Sequence, residues 1–93
     1  MQLKFSRKAE IDLEEIEAFS VATFGVLVGQ DYVRSLREAC NLLTVTPDMG
    51  SAFEYNDREY RRFPKESHLL IYRRSGDDLL IVRILHKSQK RIL

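Results

Sequence analysis

The sequence is poor in the residues that build disulfides, phosphate loops and metal sites. Its single cysteine, Cys40, excludes an internal disulfide, and no second thiol or neighbouring histidine completes a metal site around it. The chain has no glycine-rich phosphate loop, no Cys/His ligand spacing and no recognisable Ser/His/Asp set. We therefore expect no metal and no nucleotide cofactor. Cys40 lies in an apolar helical pattern, where a free cysteine is usually a small buried side chain.

Long apolar runs are also missing, and this bears on where the protein acts. No apolar stretch approaches the ~20 residues that a membrane span requires, so no membrane association is expected. Residues 1–5 lack the apolar core of a secretory signal, which predicts a cytoplasmic protein. With 93 residues, 44% of them hydrophobic and 31% charged, the chain is predicted to form one globular domain spanning residues 1–93.

Charge is present in nearly equal amounts of both signs but is unevenly distributed. Residues 1–60 carry six Lys/Arg against eleven Asp/Glu, and residues 61–93 carry nine against three, so the two parts have charges of −5 and +6. A basic surface of this kind suits an acidic partner. A basic sheet can equally neutralise acidic helices that pack on it.

Apolar periodicity predicts a strand and two helices in the first half of the chain. Residues 2–5 alternate as a half-buried strand does, and Ser6 follows as a helix cap. One helical pattern ends near Gly25, and a second continues to the stop at Pro47, so the short connection predicts an antiparallel helical hairpin. The residues expected on the core stripes are Ala9, Leu13, Ile16, Phe19 and Ser20, then Val28, Tyr32, Leu36, Ala39, Cys40 and Leu43.

The second half predicts an antiparallel sheet. Residues 48–57 are expected to form a loop or an irregular edge, and strands are expected over 59–63, 66–74 and 79–86, with Pro64 at a bend. The predicted fold class is therefore α+β. An N-terminal strand joins the sheet, and the antiparallel helical hairpin packs on a small antiparallel sheet of three to four strands.

Arginines within the last strands are the first functional candidates. Arg73 and Arg83, together with Arg61 or Arg62, would form a guanidinium cluster for phosphate oxygens if the register places them on one face. Alternatively, each arginine pairs with a helix glutamate or extends along its stem to solvent.

A histidine and a basic tail complete the candidates. His86 ends the last strand and is a candidate general acid or base, or else a strand cap. The tail residues Lys87, Lys90 and Arg91 would contact an acidic surface, unless they are simply a solvated end.

Three stretches resemble the RelE/ParE toxin superfamily of bacterial type II toxin–antitoxin systems, and ParE toxins in particular. Residues 5–13, FSRKAEIDL, resemble the family's opening strand and acidic helix. Arg62-Phe63-Pro64 with residues 68–73, HLLIYR, resembles the ParE-type arginine and the strand that follows it. Residues 78–86, DLLIVRILH, resemble the last strand with its arginine and terminal histidine.

The resemblance implies a cytoplasmic toxin that poisons DNA gyrase and is neutralised, within a hetero-oligomer, by a ParD-like antitoxin encoded beside it. It also leaves open a RelE-like ribosome-dependent mRNA endonuclease, with Arg62, Arg73, Arg83 and His86 as catalytic candidates, and an inactive module that only binds its antitoxin. Residues 87–93 lack the aromatic ending frequent in the nuclease branch, which favours ParE. For the gyrase reading, the expected target contacts are Arg62, Arg73, Arg83, His86, Lys87, Lys90 and Arg91. No sequence-specific nucleic-acid binding by the toxin alone is expected.

Overall fold

A helical hairpin and a five-stranded sheet make up the described part of the chain, residues 1–89 of a computed structural model. The elements in order are β1 (Leu3–Phe5), α1 (Arg7–Phe24), α2 (Val26–Val45), β2 (Ser51–Tyr55), β3 (Arg58–Lys65), β4 (His68–Ser75) and β5 (Asp78–His86). The sheet order is β1-β5-β4-β3-β2, with β1 parallel to β5 and the other pairs antiparallel. The α+β prediction is confirmed, with four antiparallel strands besides β1.

The core lies between the hairpin and one face of the sheet. Alternation along β4 turns Leu70 and Tyr72 toward the helices, where they meet Leu36 and Leu43 of α2 in one buried cluster. Cys40 belongs to this cluster, as predicted, and burial raises the pKa of its thiol to about 12. Neither helix within residues 1–89 is long and apolar enough to cross a membrane.

The hairpin turns at Gly25, close to the predicted helix end. Gly25 adopts φ 95°, which favours glycine, and its N–H donates to the carbonyl of Val21 at 2.9 Å. Two residues of the predicted core stripes are exposed instead: Phe19 at 67% and Val28 at 55%. The predicted helices are correct, but Phe19 and Val28 lie near the tip of the hairpin. The sheet, as far as the described residues show it, does not cover them there.

Two details of the sheet prediction were wrong. Residues 51–55 form a regular edge strand, β2, where a loop or an irregular edge was expected. Asn56 and Asp57 adopt positive φ and make the two-residue turn of a β2–β3 hairpin. Pro64 lies inside β3, opposite Leu69, and not at a bend. The pairing of β3 with β2 ends at Arg62, so no strand lies beside Pro64 on that side of β3. A proline is tolerated there because it has no N–H to donate to a neighbouring strand.

A register irregularity in β5 could not be read from the sequence. Tyr72 pairs with Ile81 and Ile71 pairs with Arg83, which leaves Val82 as the extra residue of a bulge. Ser6 fastens the start of α1 to this bulge: its N–H donates to the Ile81 carbonyl at 2.9 Å and its hydroxyl to the Val82 carbonyl at 2.7 Å. The same hydroxyl accepts the Ala9 N–H at 3.0 Å, as the predicted cap.

Candidate functional site

A buried ion pair joins the first helix to the last strand. The Nε of Arg83 donates to Oδ2 of Asp12 at 2.8 Å, and a terminal guanidinium nitrogen donates to Oδ1 at 2.9 Å. Both side chains are about nine-tenths buried, with 11% and 9% exposed. The hydrogen bond from Arg83 to the Asp12 carboxylate raises the pKa of Arg83. Arg83 therefore remains charged, and its charge is neutralised within the fold.

Asp12 also completes the edge of β5. β1 pairs with β5 only as far as Ile81, so the strand beyond the bulge has no neighbouring strand on that side within residues 1–89. The Ile84 N–H donates to Oδ2 of Asp12 at 2.9 Å, which satisfies a backbone donor that a further strand would otherwise take. The carboxylate thus positions the end of β5 relative to α1.

A groove of about 590 Å³ opens beside this ion pair, and we call it the hairpin groove. Its floor is formed by the ends of β4 and β5, and its walls by α1 and the start of α2. One end is apolar and the other polar. The lining residues are Asp12, Glu15, Ile16, Phe19, Ser20, Phe24, Val28, Tyr32, Ser67, His68, Arg83, Ile84, His86 and Gln89.

The polar end contains a connected tyrosine and two histidines. His68 and His86 are direct cross-strand partners, and their rings meet edge to face with centroids 5.3 Å apart. The Tyr32 hydroxyl lies 2.7 Å from Nδ1 of His68 and accepts the Ser67 N–H at 3.1 Å. The Nδ1 of His86 lies 2.7 Å from the Ser88 hydroxyl. Tyr32 therefore holds the β3–β4 turn and one imidazole together.

Burial lowers the pKa of His68, and the neighbouring His86 lowers it further, against an opposing effect of Asp12. The desolvated imidazole is thus favoured in its neutral form. A neutral imidazole accepts protons or binds partners by hydrogen bonds, but does not supply a fixed positive charge to a phosphate. Among residues 1–89, no group of three or more His, Cys, Asp or Glu side chains is arranged to hold a metal ion.

The structure gives the three predicted arginines separate partners. Arg83 binds Asp12, the Arg62 guanidinium lies 4.4 Å from the centre of the Phe53 ring, and Arg73 donates to the Arg74 carbonyl at 3.1 Å. They do not converge on one guanidinium cluster. The fourth candidate for it, Arg61, donates to the Gly50 carbonyl at 2.6 Å.

The remaining predicted residues lie near the polar end of the groove or beyond the described chain. His86 lines the groove, and Lys87 follows it in an exposed turn where its N–H donates to the Ser67 carbonyl at 2.9 Å. Lys90 and Arg91 lie outside the described residues.

Sequence reasoning missed Asp12, Tyr32 and His68 as parts of this site. The pairing of Arg83 with a helix carboxylate was anticipated, but with a glutamate as partner. Asp12 directly precedes the buried Leu13, on the side of α1 that faces the core. An acidic side chain at such a position is seldom buried unless it has a partner. That position was the available signal.

The strand–hairpin–sheet order agrees with the fold that the RelE/ParE resemblance of the sequence implies. The sequence profile of a family described as "ParE toxin of type II toxin-antitoxin system, parDE" matches residues 3–91. The chain belongs to this ParE toxin family.

Individual relatives agree with the family match. "Toxin ParE1" of Caulobacter vibrioides is 35% identical over 85 residues, which cover 91% of this chain and 88% of that protein. "Toxin ParE1" of Mycobacterium tuberculosis is 32% identical over 83 residues, covering 88% and 85%. A chain of the solved structure "Chromosomal ParDE TA system from P. aeruginosa" superposes with a TM-score of 0.78 at 24% identity, covering 92% of this chain and 95% of that one, and so shares the fold.

Proposed function

We propose that this protein arrests growth by poisoning DNA gyrase in the cytoplasm and that a ParD-like antitoxin encoded beside it neutralises it. Membership of the ParE family over residues 3–91 is the observation that carries the proposal. Poisoning here means that bound toxin stabilises the intermediate in which gyrase is covalently attached to broken DNA.

The chemistry of the site supports a binding role over a nuclease role. RNA cleavage requires a cation that stabilises the charge developing on the scissile phosphate. Arg83, which lines the groove together with His68 and His86, donates two hydrogen bonds to Asp12 and is about nine-tenths buried. His68 is favoured in the neutral form, since burial lowers its pKa.

The proposed contacts with gyrase are the basic residues outside the core. Arg62 and Arg73 lie on the sheet face opposite the helices, and His86 with Lys87 lies at the end of β5. Arg83 contributes through the position of β5. Lys90 and Arg91 are also proposed to contact gyrase, and the only ground for including them is their positive charge.

A gyrase cleavage assay tests this function. Purified protein, gyrase, ATP and supercoiled plasmid are incubated, and linear DNA with covalently attached protein is scored after denaturation. We expect linear DNA to accumulate with the wild type and to decrease at least tenfold with Arg62→Glu/Arg73→Glu. Glu14→Lys/Glu17→Lys, on the exposed side of α1, is the matched double charge reversal and should leave cleavage unchanged. Absence of linear DNA with folded wild-type protein would refute gyrase poisoning.

The hairpin groove is the proposed antitoxin site. Phe19 and Phe24 are 67% and 62% exposed at its apolar end, and Val28 lies beside them. Clustered apolar side chains of this size, beside polar groups, are typical of a surface that a partner segment covers.

Antitoxin binding is tested with the purified antitoxin and toxin variants. We expect Phe19→Ser and Phe24→Ser each to weaken binding by about tenfold or more, because aromatic anchors dominate such interfaces. Val45→Ser, an equally exposed apolar residue at the other end of α2, is the control and should bind as the wild type does. Unchanged affinity for both phenylalanine variants would place the antitoxin elsewhere.

Two alternative functions, an mRNA endonuclease and an inactive antitoxin-binding module, can each be tested by a separate assay. The connected Tyr32, His68 and His86 side chains are the observation in favour of a ribosome-dependent mRNA endonuclease, since an imidazole pair is suited to general acid–base chemistry. Primer extension on ribosome-bound mRNA detects that activity. An inactive module that only binds its antitoxin would give neither linear DNA nor cleaved mRNA.

A further inference from the structure

The face of the sheet that points away from the helices carries aromatic and basic side chains together. Leu70 and Tyr72 of β4 face the core, so the positions between them and their cross-strand partners face outward. By this alternation the outward positions include Tyr60 with Phe53, Arg58 with Tyr55, Arg62 with Ser51, and Arg73 on β4. Ile71, the partner of Arg62 on the same face, is buried.

The three aromatic residues form a continuous ladder across the β2–β3 hairpin. Phe53 and Tyr60 are cross-strand partners with ring centroids 5.7 Å apart and planes 24° apart. Tyr55 meets Tyr60 edge to face at 6.5 Å. All three are half-buried, and none belongs to the core cluster described above. These rings pack on one another and leave part of their surface open to solvent.

The pleat also separates the charges of these strands. Glu54 and Glu59 are direct cross-strand partners and alternate with the aromatic residues, so both point to the opposite face. No outward position of β2, β3 or β4 holds a carboxylate, whereas Arg58, Arg62 and Arg73 are all outward. Within residues 1–89, no carboxylate is ion-paired with any of these three arginines.

We propose that this outward face binds single-stranded nucleic acid without sequence preference, by stacking bases on Phe53, Tyr55 and Tyr60 and holding phosphates with Arg58, Arg62 and Arg73. Aromatic platforms flanked by cations are the usual means of binding unpaired strands, because every base offers a π face and every nucleotide a negative charge. Arg58, Arg62 and Arg73 form no ion pair within residues 1–89, so their positive charges are available to the phosphates of a polyanion. The inference goes beyond the proposed function, since it needs neither gyrase nor antitoxin.

Fluorescence anisotropy with labelled (dT)12 tests the proposal on the full chain at 50 and 200 mM NaCl. We expect saturable binding that weakens with salt, and a lower affinity for a duplex of the same length. Tyr60→Ala should reduce affinity about tenfold. Arg58→Ala/Arg62→Ala should reduce it further. This double variant should also lower the slope of log K against log salt concentration by about 1.4, since each neutralised phosphate of a single strand accounts for about 0.7.

Two further variants separate binding from folding. Tyr60→Leu keeps an apolar residue on the hairpin but removes the stacking ring, and should lose affinity even if Tyr60→Ala unfolds. Glu59→Gln lies on the same strand with its side chain on the other face, and should bind at least as well as the wild type. Failure of folded wild-type protein to bind (dT)12 at 50 mM NaCl would overturn the proposal and leave a protein as the occupant of this face. Equal affinity of the wild type, Tyr60→Leu and Arg58→Ala/Arg62→Ala would overturn it as well.

Discussion

Asp12 of α1 and Arg83 of β5 form a two-point, largely buried ion pair across 71 residues of sequence, at 2.8 and 2.9 Å. The same carboxylate accepts the backbone N–H of Ile84, so one side chain both neutralises the strand arginine and completes the strand edge. The pair connects the hairpin to the sheet beside the groove.

Breaking this ion pair should destabilise the fold strongly. Asp12→Ala leaves a buried guanidinium and the Ile84 N–H without their acceptor, so we expect a loss of about 3–5 kcal/mol in the free energy of unfolding by urea denaturation. The double variant Asp12→Leu/Arg83→Met removes both charges but still leaves the Ile84 N–H without its acceptor, so it should recover only part of that loss. A loss below about 1 kcal/mol for Asp12→Ala would show that the pair does not support the fold.

The lowered pKa of His68 makes stability depend on pH. The unfolded chain takes up a proton near pH ~6.5, while the folded imidazole takes it up only at lower pH. Stability from this residue is therefore fully present above pH ~6.5 and is lost as the pH falls toward the folded pKa. We expect the decrease in Tm between pH 7.5 and 5.5 to be smaller in His68→Gln than in the wild type.

The His86 ring supplies an independent check on that pKa. Replacing this ring in His86→Gln should move the pKa of His68 upward in an NMR titration, since His86 lowers that pKa in the wild type. A pKa of His68 at or above 6.5 in the wild-type protein would contradict both expectations.

Gly29 sets the distance between the two helices. A Cβ at this position would lie 2.6 Å from Cγ2 and 2.7 Å from the backbone nitrogen of Val21. Gly29→Ala should therefore destabilise the protein by about 1–2 kcal/mol, because overpacking outweighs the helix preference of alanine. Gln30→Ala, one position along on the exposed side, should change stability by less than about 0.5 kcal/mol. A stabilised Gly29→Ala variant in urea denaturation would show that α1 and α2 separate freely.

The Cys40 thiol should be unreactive in the folded protein. Burial raises its pKa to about 12, so almost no thiolate is present at neutral pH, and the side chain is only 1% exposed. We expect labelling by a disulfide reagent at pH 8 to proceed at the rate of unfolding and to become rapid in denaturant. Rapid labelling without denaturant would mean that α2 opens locally.

Strong local signals made most of the fold predictable. The helical periods, the Ser6 cap, the Gly25 boundary and the apolar run in β5 are each determined within a few residues of sequence. The edge strand β2 was not predicted as a regular strand because it is short and half-exposed, and the turn-forming residues on either side of it give the stronger signal. Pro64 was misplaced because a proline is tolerated inside β3 only where the neighbouring strand has ended, and strand lengths are set by pairing.

The site was less predictable because tertiary geometry determines it. The bulge at Val82 sets the direction of the Arg83 side chain, and no local sequence pattern predicts this bulge. His68 and His86 become neighbours only through the β4–β5 register, in which a one-residue slip would separate them.

Detection of gyrase covalently attached to chromosomal DNA in cells that express the 93-residue protein tests the central claim most directly. Ribosome-bound mRNA from the same cells is mapped for new 5′ ends at the same time. We predict that covalent gyrase–DNA complexes accumulate within the first minutes of growth arrest and are suppressed by co-expressed antitoxin, while the mRNA stays intact. Growth arrest with cleaved mRNA and no covalent gyrase–DNA complexes would contradict this account.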